Sequence, residues 1–416
     1  MKLTKIVQEF PRPTAGEITA VVRDEIRRLG LTSLSGRIAV AVGSRGIHQL
    51  PQIISATLAG IRALGGTPFI VPAMGSHGGA TADGQRQLLA SYGITPEAMG
   101  CPVVSSLEVV ELDCGSPGLR IFMDRQAYEA DGVVVINRVK PHTSFHGRYE
   151  SGLAKMLVVG LGKEKQAAEI HRFGAQGLRT LIEPAARCIL NSGKIRFGVA
   201  LVENAYDETA RVRALRAEQF LAEEPGLLEY ARTQMPRLPA ERIDVLVLEE
   251  MGKNISGLGL DPNVIGRLKI HGEPEPTRPA IHAILVRDLT AESHGNAIGM
   301  GLADVISRRL FEKIDFAATY KNVVTSTFLE RAKVPLVADS DAQGFAAALR
   351  SCGAVPEGRE RVMRIRNTLQ LSEAWVSPAL LEELAGAPHI RVTGQTQELL
   401  TPEGSFFDFW QPFSPS

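Results

Sequence analysis

Four of the nine histidines fall in glycine-rich or strand-terminal stretches of the first half of the chain. They are His77 in AMGSHGGAT, His142 and His146 in RVKPHTSFHG, and His171 in AEIHRFG. Imidazole serves both as an acid/base group near neutral pH and as a metal ligand. PFIVPAMGSHGG and GVVVINRVKPH each read as an apolar strand running into a loop. In an open α/β sheet, ligands bind beyond the carboxyl ends of the strands, so His77 and His142 are expected to project into one crevice. The glycines beside His77 let the backbone approach a ligand closely. Lys155 lies among Leu153, Ala154, Met156, Leu157 and Val158. Partial burial disfavours its ammonium form, lowers its pKa and makes it a usable nucleophile. GLGKEKQAAEIH then reads as a glycine turn entering a helix, whose free N–H groups could hold a phosphate together with Lys163 or Lys165. GLGK is neither a full Walker A loop nor a dinucleotide fingerprint. Arg45, in VGSRGIH, is suited to bidentate binding of a carboxylate or phosphate. Taken singly, a loop histidine is usually a hydrogen-bonded surface residue, and a lysine in an apolar stretch usually snorkels to solvent. Their clustering in one part of the chain is what points to an enzyme.

Those residues need a scaffold. Ile38–Val42, Pro68–Val71, Gly132–Ile136, Phe197–Val202, Asp244–Leu248 and Ile281–Val286 are nearly continuous apolar runs, as expected of strands covered on both faces. Helical periodicity is read between them at Gln52–Leu64, Gly84–Ser91, Arg213–Leu221, Ala297–Phe311 and Ala342–Arg350. This alternation predicts an α/β fold with mainly parallel, Rossmann-like sheets flanked by helices. The stretch MPRLPAER, with its two prolines, marks a boundary. It predicts a catalytic domain over residues 1–238 and an α/β domain over 239–416, with the active site in the cleft between them. The aromatic tail, with Phe406, Phe407, Phe409 and Trp410, is expected to pack back on the protein or on a subunit partner.

Composition narrows the function classes. The 416 residues carry 46 Lys plus Arg against 46 Asp plus Glu, so the basic excess typical of nucleic-acid binding is missing. Cys101, Cys114, Cys188 and Cys352 show no Cys-x-x-Cys spacing; this fits a reducing compartment rather than a disulfide framework or zinc ribbon. No apolar run approaches the roughly 20 residues that span a bilayer, and residues 1–13 lack an apolar h-region. The expectation is a cytoplasmic enzyme with no membrane or nucleic-acid partner and an oligomeric state left open.

The order KPH, SGLAKM and a histidine beyond a GLGK turn resembles the lactate racemase family, which carries a nickel-pincer nucleotide. Chain length and the two-domain plan are similar as well. The resemblance implies that His142 and His77 are the two acid/base histidines, that Lys155 forms a thioamide to the cofactor, and that His171 ligates nickel. It also implies dependence on cofactor-synthesis proteins. Inverting a hydroxyl-bearing carbon through a planar, ketone-like species needs a base on each face, which explains two histidines. The cofactor carries the hydride chemistry and the protein positions it. Imidazole suits nickel.

The chain departs from the lactate-specific pattern. VGSRGIH stands where lactate racemases resemble Asp-x-x-Arg, the interval from Pro-His to Lys is longer, and His146 within it competes with His142. GKNISGLGLDPNVIGRLKIHG is similar to the family's substrate-facing loop, with Lys269 matching a family lysine and Gly266 where glutamine is expected. Lys253, Asn254, Asp261 and Asn263 are further polar candidates, although Asp-Pro-Asn is equally a turn signal. His294 and Asn296 are placed at a strand-to-helix junction, where they could serve the cleft or a cap. These readings favour a racemase or epimerase of a 2-hydroxy acid other than lactate. Two alternatives are a metal hydrolase using His77, His142 and His171 as ligands and a non-catalytic small-molecule binder on the same fold.

Overall fold

The computed structural model describes residues 1–114 and 118–410. The chain divides into two units, Pro11–Met235 and a second comprising Met1–Phe10 with Pro236–Ser416. This differs from one cut after residue 238. Strand β1 (Lys2–Gln8) pairs antiparallel with two strands near the C-terminus and buries Leu3 and Ile6 there, so the first ten residues belong to the second unit.

The Pro11–Met235 unit is built on β2 (Arg37–Val42), β3 (Thr67–Pro72), β6 (Gly132–Arg138), β7 (Ile195–Glu203) and β8 (Thr209–Arg216), in the order β3-β2-β6-β7-β8. The first four are parallel and β8 is antiparallel. A separate hairpin joins β4 (Val109–Leu112) to β5 (Ile121–Asp124). Val40, Val42, Ile70, Val134 and Ile136 pack in a core with Ile53, Ile54, Leu58 and Ile61 of the helix Leu50–Ala63. Helix Ile18–Arg28 buries Ile18, Val22 and Ile26, one stripe at helical spacing, and Glu17 caps it by accepting from Thr19 and Ala20 N–H.

The second unit carries an eight-stranded sheet. It comprises β1, β9 (Arg242–Leu248), β10 (Ala280–Val286), β11 (Val305–Ser307), β12 (Leu336–Ala338), β13 (Val362–Ile365), β14 (Glu373–Val376) and β15 (Ile390–Glu398). Their order is β12-β11-β10-β9-β13-β14-β1-β15, parallel from β12 through β13 and antiparallel beyond. The aromatic tail folds back on this unit as far as residue 410. Phe406 and Phe409 are buried, and the Arg364 guanidinium lies over Phe409, Phe406 and Trp410. Residues 411–416 lie outside the described ones.

Two expected helices are not helices. Arg213–Leu221 spans the end of β8, a 3-10 turn and only the first two residues of the helix Phe220–Gln234. Along β8, buried Val212 and Ala214 alternate with more exposed Arg211 and Arg213, a period of two that the arginine-rich composition disguises. Ala297–Phe311 is broken by Gly299 at φ 96° into a short turn, β11 and the helix Arg308–Glu312. The cysteine expectation also needs correction: Cys114 and Cys188 form a disulfide, with Cα atoms 5.6 Å apart, while Cys101 and Cys352 are free. Folding brings the end of β4 to the helix Ile182–Asn191 across 74 residues, a closeness that spacing in sequence does not show. No helix among the described residues is long and apolar enough to cross a membrane.

Candidate active site

Parallel strands β2, β3 and β6 bring their carboxyl ends to one edge of the sheet. The loop after β2 carries Ser44 and Arg45, the loop after β3 carries His77, and the end of β6 leads through Asn137 and Arg138 to His142. The apolar strands therefore deliver these side chains to the edge where α/β sheets bind ligands.

His142 makes the decisive contact. Its Nδ1 accepts the Ser144 N–H at 3.0 Å, and its Nε2 hydrogen-bonds Lys155 Nζ. A neutral imidazole whose Nδ1 accepts carries its proton on Nε2. Lys155 must then be the acceptor, which requires a free amine. The electrostatics agree: burial above all, then the nearby Arg45 charge, lower the Lys155 pKa to about 7, with Glu150 opposing. Lys155 itself sits where the short helix Leu153–Lys155 runs into a π-helical turn, Met156–Gly160. Such turns recur at functional sites.

His171, the last residue of the helix Lys163–His171, lies within electrostatic reach of Lys155. Burial, then the Lys155 charge, lowers its pKa to about 4, so it is neutral at neutral pH, the form that ligates metals. Its Nδ1 is buried and, among the described residues, has no hydrogen-bond partner. Buried polar atoms are normally satisfied, so an orphaned imidazole nitrogen beside a free amine fits a bound metal group.

His77 is exposed, and its Nδ1 hydrogen-bonds Ser44 Oγ. Tyr92 O–H donates to the Ser44 carbonyl at 3.0 Å and also interacts with Arg45. Arg45 is open to solvent along much of its length, yet its surroundings are dense. That desolvation lowers its pKa, with Tyr92 opposing and Arg138 adding to the lowering. His77, Arg45, His142, Lys155 and His171 thus share one neighbourhood. His146 does not compete for the Lys155 contact: it is exposed and faces Glu150, Nδ1 to Oε1 3.4 Å.

The supporting residues escaped the sequence reading. Glu150, with its side chain fully buried, accepts the N–H groups of His142 at 2.6 Å and Gly147 at 3.1 Å, and pairs with Arg232. Burial pushes its pKa up, but the hydrogen bonds from His146, His142 and Gly147 outweigh that and leave it lowered. Glu224 accepts the Ala154 N–H, and burial lifts its pKa to about 7 against the N–H groups of Ala154 and Leu153. Asn137 donates to the Gly152 carbonyl at 2.7 Å. A buried carboxylate tens of residues from its partner leaves no periodic signal to find it by.

One of the two phosphate-binding candidates requires correction. Lys163 is 1 % exposed, pairs with Asp124 at 2.9 Å and donates to the Pro72 carbonyl, so it pins the end of β3 and is closed to a ligand. Lys163→Met should leave Asp124 buried and unpaired, at a cost of about 3–5 kcal/mol. Urea unfolding checks this; a loss below about 1 kcal/mol contradicts it. Lys165 is exposed, with its ammonium over Phe122 and near Glu111. In the second unit, Lys253 donates to the Gly257 carbonyl and Asn322, Asn263 to the Asp261 carboxylate, and Asn296 to Asn322. Thr290 donates to Asn254, and Asp261 caps the short helix Pro262–Ile265. The Asp261–Asn263 contact is that of a turn, whereas Lys253, Asn254 and Asn296 tie distant segments of this unit together. Lys269 and His294 both adopt positive φ, at 47° and 46°; His294 ends a 3-10 turn, not a strand-to-helix junction.

No family model matches the chain, and no curated protein matches it in sequence. A solved structure does resemble it: the lactate racemase apoprotein from Thermoanaerobacterium thermosaccharolyticum, at a TM-score of 0.52 and 12% identity. The match covers 87% of this chain and 94% of that one. The fold is lactate-racemase-like. At this identity the likeness speaks for the architecture of both units, and the chemistry has to be argued from the side chains. Among the described residues no three of His, Cys, Asp and Glu are grouped to hold a metal ion.

Proposed function

We propose that this chain is an isomerase, a racemase or epimerase that inverts C2 of a 2-hydroxy acid other than lactate with a nickel-pincer nucleotide. The observation that carries the reading is the contact between His142 and a free-amine Lys155, with His171 and Arg45 beside them. Lys155 offers the amine for covalent attachment and His171 the neutral imidazole for nickel. When bound, the group supplies a reversible hydride acceptor for the carbinol carbon. His142 and His77 move the hydroxyl proton, each serving one face of the planar species. Arg45 holds a carboxylate or phosphate of the bound cofactor, since a guanidinium matches either with two parallel hydrogen bonds. Loading requires cofactor-synthesis proteins, and the chain acts on a small molecule.

The test is inversion of an enantiopure, C2-deuterated substrate drawn from a panel of 2-hydroxy acids. Hydride return to the same carbon keeps the deuterium in the inverted product, whereas washout into water identifies a proton-abstracting isomerase and contradicts the reading. His171→Ala should lose nickel by elemental analysis while keeping the wild-type urea midpoint, because one partly exposed imidazole adds little to the core. Full nickel retention refutes its role as ligand.

A further inference from the structure

One helix, Phe220–Gln234, touches the supports of both His142 and Lys155. Near its start the Leu221 carbonyl accepts from Tyr149 O–H at 2.6 Å. One turn on, the Glu224 carboxylate accepts the Ala154 N–H at 2.9 Å, next to Lys155. Two turns further, Arg232 reaches Glu150 Oε1 at 2.5 Å, and Glu150 holds the His142 N–H. Residues 224 and 232 are eight apart, a rigid span of about 12 Å at the helical rise.

Glu224 is costly as a core residue. It is 1 % exposed, and among the described residues its Oε1 has no hydrogen-bond partner. A leucine would bury the same volume without leaving an acceptor unsatisfied. The chain also makes room for the carboxylate: a Cβ on Gly152 would lie 2.5 Å from Glu224 Oε1, so only glycine allows this approach. A buried carboxylate, a glycine cut to admit it and a contact one residue from Lys155 serve placement better than stability.

We propose that Glu224 is a positioning residue that seats Lys155 against His142 by holding the Ala154 N–H at the start of the Leu153–Lys155 turn. Arg232, through Glu150, fixes the His142 side of the same pair from the same helix. The importance of Lys155 rests on the function proposed above, but its seating is measurable without any cofactor.

The experiment labels the apoprotein with an acetylating succinimidyl ester across pH 6–10 and follows the Lys155 peptide by mass spectrometry. Exposed Lys321 is the internal reference. Arg45, Glu150, His142 and His171 surround Lys155 and are left in place by the substitutions. Glu224, whose pKa burial raises to about 7, is the group removed, and Glu224→Gln takes away its charge while keeping an oxygen acceptor. In the wild type, Lys155 should label with a midpoint near pH 7, because below it the ammonium is unreactive and above it the amine is free. Glu224→Leu should move that midpoint upward by at least about one pH unit, toward the ordinary lysine value. Glu224→Gln, which keeps an oxygen acceptor, should restore it. Should Glu224→Leu fail to fold, Gly152→Ala disturbs the same contact from the other side and should give the same shift. A midpoint unchanged in folded Glu224→Leu or Gly152→Ala overturns the proposal, as does an ordinary lysine midpoint in the wild type. A chain that inverts no hydroxy acid yet shows this shift loses the proposed function and keeps Glu224 as the seat.

Discussion

Replacing either His77 or His142 with alanine is expected to slow isomer interconversion by about 10²–10⁴-fold, and by the same factor in both directions. An equilibrium catalyst uses one path forward and back. Inversion takes a proton at one face and returns it at the other, so neither histidine suffices alone. Both variants should retain nickel and the covalent group, since neither residue is assigned to hold them. His146→Ala is the control. Its imidazole faces Glu150 while His142 faces Lys155, so turnover within about threefold of wild type is expected. Chiral chromatography of the product from one accepted substrate measures all three. Collapse of the His146 variant with normal turnover by the His142 variant transfers the role along the loop. Nickel loss from both the His77 and His142 variants indicates a metal site of a different kind.

The larger effect belongs to Lys155. Lys155→Ala should carry no covalent group and should reduce inversion to the background rate. Lys155→Arg should do the same despite keeping its charge, because a guanidinium stays protonated and is a poor nucleophile. That pair separates a covalent role from an electrostatic one. Appreciable activity in Lys155→Arg means that the site needs only a cation there. The buried, Arg45-flanked environment that frees the amine makes the covalent role the expected one.

Much of this site is readable from sequence because apolar strands and the loops that follow them are local features. PFIVPAMGSHGG and GVVVINRVKPH each announce a buried strand and the loop at its carboxyl end, and His77 and His142 follow directly. Lys155 is legible from its apolar neighbours for the same reason. What is not legible depends on distant partners. Lys163 reads as a ligand-binding lysine because Asp124, which neutralises it, lies 39 positions earlier, at the end of β5. Glu224 reaches Ala154 across 70 positions and Arg232 reaches Glu150 across 82, and nothing local marks either as a support for Lys155 or His142. Strand β1 joins the far unit because its partners β14 and β15 come at the other end of the chain. Local pattern places the chemistry, and long-range packing decides which charged groups remain available for it.

The most direct test of the account is the mass of the protein itself. The chain should be produced together with proteins that make the nickel-pincer nucleotide, purified, and measured intact and after proteolysis alongside elemental analysis. The expected result is a covalent adduct on the peptide containing Lys155 and close to one nickel per chain. An adduct on Lys163 or Lys165, or nickel bound with Lys155 unmodified, would contradict it.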